Sequence, residues 1–196
     1  TGAMTGGSGE AAVAAAAAAQ LLLHLGLPST ASAGMTDAKT PDAQAGYEKG
    51  YTVALAAQAG ADMINLSVGM LGSIMAASCE ALVIDDDMCG AILRAVQGVH
   101  MTDSAIDLDR IEAVATGEGH YLGEAQTLAL MKSEYVYPSL GNRQSISDWQ
   151  DAGSPTIWDP AVTRTKDLLQ EPPTHLPKER EAAIRAAFDI RLPIGA

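Results

Sequence analysis

The segment from Gly34 to Gly50, GMTDAKTPDAQAGYEKG, gathers the side chains best suited to chemistry: Asp37, Lys39, Asp42, Gln44, Tyr47 and Glu48. Charges of alternating sign at Asp37, Lys39 and Asp42 serve either to bind a charged small molecule or to close local contacts around a helix start. The spacings 44/48 and 47/51 are i, i+4, so a helix here places Gln44 beside Glu48 and Tyr47 beside Tyr51, one turn apart. A tyrosine pair beside carboxylates can hold a quaternary ammonium by cation–π attraction. Ordinary packing on a helix surface explains the same pair equally well.

Other candidates are thinner. His120, in GEGHYLGEAQ, is flanked by glycines that let its imidazole project from a turn, either as a site residue or as a structural histidine. His24, His100 and His175 have no evident partners. Asp85, Asp86 and Asp87 invite a metal, but successive helical side chains diverge by about 100° and cannot converge on one ion. They read as a charged helix face, and no metal site is expected. The run VGMLGSIMAAS, residues 68–78, has small side chains and methionines but no nucleophile with a base. No HExxH, paired CxxC, phosphate-binding loop, GxSxG or dinucleotide fingerprint occurs.

The elements that must position these residues follow from the caps and breakers. Ser8 reads as the N-cap of a first helix with Glu10 in its first turn, stopping near Gly26. Pro28 to Gly34 is a short candidate strand. Asp42 caps a second helix that ends at Gly60, and Asp62 to Ser67, DMINLS, is a better strand. A third helix, CEALVIDDDMCGAILRAVQG, follows the VGMLGSIMAAS loop and sets Leu82, Val83, Met88, Ala91, Ile92 and Ala95 broadly on one face. Beyond Gly98 the pattern is helical and charged to the end, with EPPTHLP as its clearest linker.

The order helix, strand, helix, strand, helix predicts an α/β fold with a parallel sheet buried on both faces. Its ligands belong at the C-terminal ends of the strands, in GMTDAKTPDAQ and VGMLGSIMAAS. Residues 1–100 thus read as βα units and 101–196 as a helix-rich region packing on them. Two strands are only a fraction of an eight-stranded barrel, which takes roughly 250 residues. The chain therefore reads as the later part of something longer, as its start in mid-pattern without methionine also suggests.

Composition narrows the partners. The chain has 196 residues, 47% hydrophobic but only 4% aromatic, so its core must rely on small side chains and close backbone approach. A formal net charge of −12 repels nucleic-acid phosphates and anionic lipid but not a cationic substrate. The same charge also serves plain solubility. Cys79 and Cys89 lie on one predicted helix roughly 15 Å apart, too far for a disulfide, and read as reduced thiols. The alanine-rich stretch from Ala11 to Leu27 falls short of a membrane span. A cytoplasmic location is expected.

HLGLPSTASAGMTDAKTPDAQAGYEKG, then AGAD, GML, EALVIDDDM, GHYLG and YVYP, resembles the C-terminal part of the trimethylamine:corrinoid methyltransferase family over nearly the whole chain. The resemblance implies the later part of a TIM (β/α)8 barrel followed by a helical C-terminal tail. It implies transfer of a methyl group from a methylated amine to the Co(I) of a corrinoid carried by a separate protein, with no cofactor bound directly. The founding branch carries pyrrolysine in the barrel. This sequence has only standard residues and is similar to the other branch, whose members use quaternary amines such as glycine betaine.

On that resemblance Asp37, Lys39, Asp42, Gln44, Tyr47 and Glu48 line the barrel mouth, with His120 a weaker addition. Carboxylates and tyrosine would take the cationic head, Lys39 or His120 a substrate carboxylate, and the small loops the corrin ring. A fragment of a barrel has exposed strand edges and is expected to associate with copies of itself. Two other readings stay open: a non-catalytic α/β module that binds a partner through its acidic helical tail, and a barrel lyase or aldolase with Lys39 or Lys49 as a Schiff-base lysine.

Overall fold

Ser8 and Asp42 set where the first two helices begin. In the computed structural model, which describes residues 5–101, 105–170 and 176–191, the Ser8 hydroxyl accepts the Ala11 N–H at 3.2 Å and helix α1 runs Gly9–His24. Asp42 accepts the N–H groups of Gln44 and Ala45 at 2.9 and 3.2 Å, and α2 runs Ala43–Gln58. Each cap satisfies donors that the first helical turn leaves without partners. Strand β1, Thr30–Ala33, precedes α2, and β2, Met63–Leu66, follows it. Both strands fall inside the segments expected from sequence.

The strands pair in parallel, Thr30 opposite Met63 and Ala33 opposite Leu66. Their register is pinned at the N-terminal end, where Asp62 accepts the Ser29 N–H at 2.8 Å and the Ser29 hydroxyl at 3.1 Å. Ser29 in turn accepts the Asp62 N–H through the same hydroxyl. A one-residue slip would break this pair and turn every side chain to the opposite face.

VGMLGSIMAAS is more ordered than a loop. It folds back as a two-residue antiparallel pair, β3 (Met70–Leu71) with β4 (Ala76–Ala77), and Ser78 caps α3 (Cys79–Gln97). The later regular elements among the described residues are helices: α4 (Leu108–Thr116), α5 (Ala125–Ser133), α6 (Ile146–Asp151), α7 (Trp158–Gln170) and α8 (Lys178–Ala187). Helix α7 packs against α3 and buries Ala161 and Thr165. Most of the expected EPPTHLP linker, with His175, lies outside the described residues. Among those described, no helix is long and apolar enough to cross a membrane. Both cysteines are free thiols.

The core is built from alanine. Ala31 and Ala33 of β1 meet Val53 and Ala56 of α2, with Ile64, Leu66, Met88 and Ile92 packed around them. The expectation of strands buried on both faces is met on one only, because Thr30, Ser32, Met63 and Asn65 alternate outward and are exposed. The face expected for α3 also differs. Its inner line is Ala81, Asp85, Met88 and Ile92, while Leu82 and Ala91 are exposed. A buried aspartate interrupts that apolar stripe, which is why hydrophobic periodicity misplaced it.

Close packing on small side chains leaves no slack. Ala56 is wholly buried, so Ala56→Leu is expected to cost about 1–3 kcal/mol through overpacking. By contrast, a Cβ added at Gly46 of α2 meets nothing within 4 Å, so Gly46→Ala should add about 0.5–1 kcal/mol. Urea midpoints of the two variants, shifting in opposite directions, check both.

Candidate functional site at the strand ends

Two loops leave the C-terminal ends of β1 and β2, residues 34–42 and 67–78, and they are knitted together. The Gly72 N–H donates to the Ala38 carbonyl at 2.7 Å and the Ser73 N–H to the Thr36 carbonyl at 2.8 Å. The Ser73 hydroxyl donates to the Asp37 carboxylate, and Leu71 packs on Ala38 and Ala45. The tip between β3 and β4 is strained, with φ of 54° at Ser73 and 65° at Ile74, a left-handed conformation that is costly for a β-branched residue. Contacts with the first loop hold it there.

The segment before α1 reaches the same place. The Tyr51 hydroxyl donates to the Gly7 carbonyl, and a Cβ at Gly7 would fall 2.5 Å from Glu48 Oε2. Only glycine lets the backbone lie this close to the carboxylate.

Glu48 is the centre of the arrangement. It is 8% exposed, and its Oε2 accepts the Thr36 hydroxyl at 2.6 Å and the Asp37 N–H at 2.8 Å, while Oε1 accepts the Gln44 side-chain amide at 2.9 Å. Burial alone would raise its pKa. The hydrogen bonds from Thr36, Gln44 and Asp37, with the nearby Lys39 charge, outweigh that and hold it below the ordinary glutamate range. The expected pairing of Gln44 with Glu48 is present, but this carboxylate is spent on the loop.

The remaining candidates divide by exposure. Asp37 is half-buried, and exposed Lys39 donates to the Asp37 backbone carbonyl at 2.6 Å rather than to its carboxylate. Asp42 is exposed while it caps α2, and the Ala45 N–H, then the Thr40 hydroxyl, hold its carboxyl below the usual range. Tyr47 is exposed and stacks on Tyr51, ring centroids 6.4 Å apart and planes 12° from parallel. Burial first, then the Glu48 charge, pushes the Tyr51 phenol up. Stacked rings do not face each other across a gap, so a cation would sit over the outer face of Tyr47. His120 is not brought to these loops; it projects from the turn after α4, half exposed, with Nε2 3.9 Å from Glu118.

Sequence reasoning missed a buried ion pair. Lys49 Nζ lies 2.5 Å from Asp85 Oδ2, both side chains almost fully buried, so Asp85 is no part of a solvated acidic face. Asp87 is also engaged, accepting the N–H groups of Ser139, Leu140 and Gly141 at 2.6, 3.3 and 3.0 Å, and only Asp86 is exposed. Burial and an ion pair leave Lys49 poorly placed as an open Schiff-base lysine. The signal that could have found the pair is the single acidic residue on the inner line of α3.

A separate cavity of about 500 Å³ lies on the helical side, between α2 and α3 and under residues 136–143. Met88, Ile84, Val136 and Ile157 line it, with Asp42 and the Lys49–Asp85 pair at its border. Among the described residues no group of three or more His, Cys, Asp or Glu side chains could hold a metal ion. At the strand ends two hydroxyl–carboxylate pairs, Ser73 with Asp37 and Thr36 with Glu48, hold the loops together. The loops present charged and polar side chains that can bind and orient a small molecule.

Glu48→Ala should therefore cost about 1.5–3 kcal/mol, the loss of hydrogen bonds to a buried charge, read by chemical denaturation. Because the folded-state pKa of Glu48 is depressed, its contribution is fully present above the ordinary glutamate range. It is lost as pH falls through the lower folded value, so the difference between wild type and Glu48→Ala should shrink in acid.

A family model described as trimethylamine methyltransferase (MTTB) matches residues 1–192. The chain is 35% identical over 149 residues to a glycine betaine methyltransferase of Desulfitobacterium hafniense strain Y51, covering 76% of this chain and 31% of that protein. It is 37% identical over 167 residues to the trimethylamine methyltransferase MttB of Methanosarcina barkeri, covering 84% and 32%. To an MttB of Desulfitobacterium hafniense strain DCB-2 it is 32% identical over 184 residues, covering 93% and 36%. The chain thus spans about a third of the length of the curated relatives it matches. With a matched model over almost its whole length and relatives of this similarity, the chain belongs to the trimethylamine methyltransferase family.

Proposed function

We propose that the protein carrying this chain is a methyltransferase that takes a methyl group from a quaternary methylated amine, a betaine being the favoured class. The acceptor is the Co(I) of a corrinoid held by a separate carrier protein. The chain supplies the later part of a (β/α)8 barrel, residues 1–100, and a helix-rich region, 101–196, that packs on it. The protein works in the cytoplasm, with no nucleic acid or membrane as partner.

The observation that carries this reading is Tyr47, exposed near the start of the helix that Asp42 caps, directly after the strand-end loop that holds Asp37 and Lys39. Its ring face suits a trimethylammonium head, and Lys39 suits the carboxylate of a betaine. Support for a barrel comes from the open face of the sheet. Thr30, Ser32, Met63 and Asn65 would look into its interior, and the exposed Leu21, Leu23 and Leu25 of the first helix and its cap would meet a neighbouring unit.

The chemistry asks little of the protein. A quaternary ammonium keeps the carbon–nitrogen bonding pair when its methyl departs and leaves as a neutral tertiary amine, so no proton has to be supplied. The corrinoid, when docked, supplies the two-electron nucleophile. Asp37, Lys39, Asp42, Gln44 and Tyr47 then bind and orient the substrate, and Glu48 fixes the loop that presents Asp37 and Lys39.

In the full-length protein, glycine betaine and cobalamin kept reduced should give methylcobalamin, followed by absorbance. Tyr47→Leu, which keeps the apolar bulk without the ring face, should lower kcat/KM about tenfold, mainly through KM. Asp42→Ser, which retains the helix cap but removes the charge, should act in the same direction. Unchanged turnover in either removes that residue from the site. No transfer across betaines and methylamines favours a non-catalytic partner-binding module.

A further inference from the structure

We infer that Asp85 is a positioning residue for the strand-end site: with Lys49 as its counter-charge, it fixes the base of the β3–β4 hairpin and thereby the loop that presents Asp37. The inference rests on the functional reading above. Asp85 Oδ2 accepts Lys49 Nζ at 2.5 Å and the Gly69 N–H at 2.7 Å. One carboxylate thus ties α3 to α2 and to the first residue before the hairpin.

Gly69 is held from every side. Its φ of 71° suits glycine, and a Cβ there would fall 2.9 Å from the Leu82 Cβ. Its carbonyl accepts the Ser78 N–H at 2.9 Å, closing the hairpin at its base. Two residues beyond Leu71, the strained Ser73 makes the contacts to Thr36 and Asp37 already described. The line of contact therefore runs from Asp85 through Gly69 and the hairpin to the loop of residues 34–42.

The charges have a division of labour. Gly69 needs an acceptor at the position of Oδ2, and Lys49 neutralises the buried carboxylate that provides it. A pair kept only for stability would be replaceable by any well-packed apolar pair, whereas the acceptor that Asp85 offers to Gly69 is not.

Two double variants separate these roles in the full-length protein. K49M/D85N removes both charges but keeps an acceptor for the Gly69 N–H; K49M/D85L removes the acceptor as well. Turnover with glycine betaine and reduced cobalamin, thermal midpoints and amide hydrogen exchange over residues 67–78 are read on each. The expected result is wild-type-like exchange and turnover in K49M/D85N. In K49M/D85L, exchange should speed up by about tenfold or more across the hairpin and kcat/KM should fall by a similar factor, consistent with loss of one charged hydrogen bond. That difference should persist at temperatures where both variants are equally folded.

Wild-type-like hairpin protection in K49M/D85L overturns the inference, as do equal losses in both variants that follow their thermal midpoints. If wild type itself transfers no methyl group, the functional reading falls, and hairpin protection in the two variants alone decides the positioning role.

Discussion

Everything at the mouth of this site hangs on one buried carboxylate. Glu48 is removed from water and given hydrogen bonds from the Thr36 hydroxyl, the Asp37 N–H and the Gln44 amide. An unpartnered carboxylate in that position would cost several kcal/mol or become protonated, so the loop and the helix are obliged to meet there. Gly7 then closes over the carboxylate from the other side. A loop rich in charged side chains, which would otherwise sample many shapes, is left with one.

Helix α2 works on two faces for this reason. Glu48 turns toward the segment before α1 and the first strand-end loop, and Lys49, next in sequence, turns toward α3 and meets Asp85. Tyr47 remains outward between them and solvent. Three consecutive residues thus supply a contact surface, a loop anchor and an interhelical anchor. Their roles follow from the 100° step of the helix, which sends neighbours in sequence to different environments.

The features legible in sequence were those with local causes. Ser8 and Asp42 announced their helices because capping chemistry acts within a few residues, and the breakers bounded both parallel strands. The i, i+4 spacings foretold the Gln44–Glu48 bond and the Tyr47–Tyr51 stack. What stayed hidden depends on residues far apart in the chain. Ser73 holding Asp37, Gly69 donating to Asp85 and Ser139 donating to Asp87 join segments with no pattern in common. Asp85 and Asp87 read in sequence as a charged helix face because charge does not reveal burial, and VGMLGSIMAAS reads as a loop because a two-residue strand leaves no periodicity.

The proposed site lies where the strands end, and the cavity between α2 and α3, lined in part by the Lys49–Asp85 pair, shares Asp42 with it. The two differ in what they would take: Tyr47 and its charged neighbours suit a small zwitterion, while Met88, Ile84 and Val136 suit an apolar body. Where the substrate binds is therefore decisive, and a crystal structure of the full-length protein soaked with glycine betaine measures it directly. The prediction is a trimethylammonium group on the outer face of Tyr47 with its carboxylate toward Lys39. A ligand seated instead between α2 and α3, or at neither place, would contradict it.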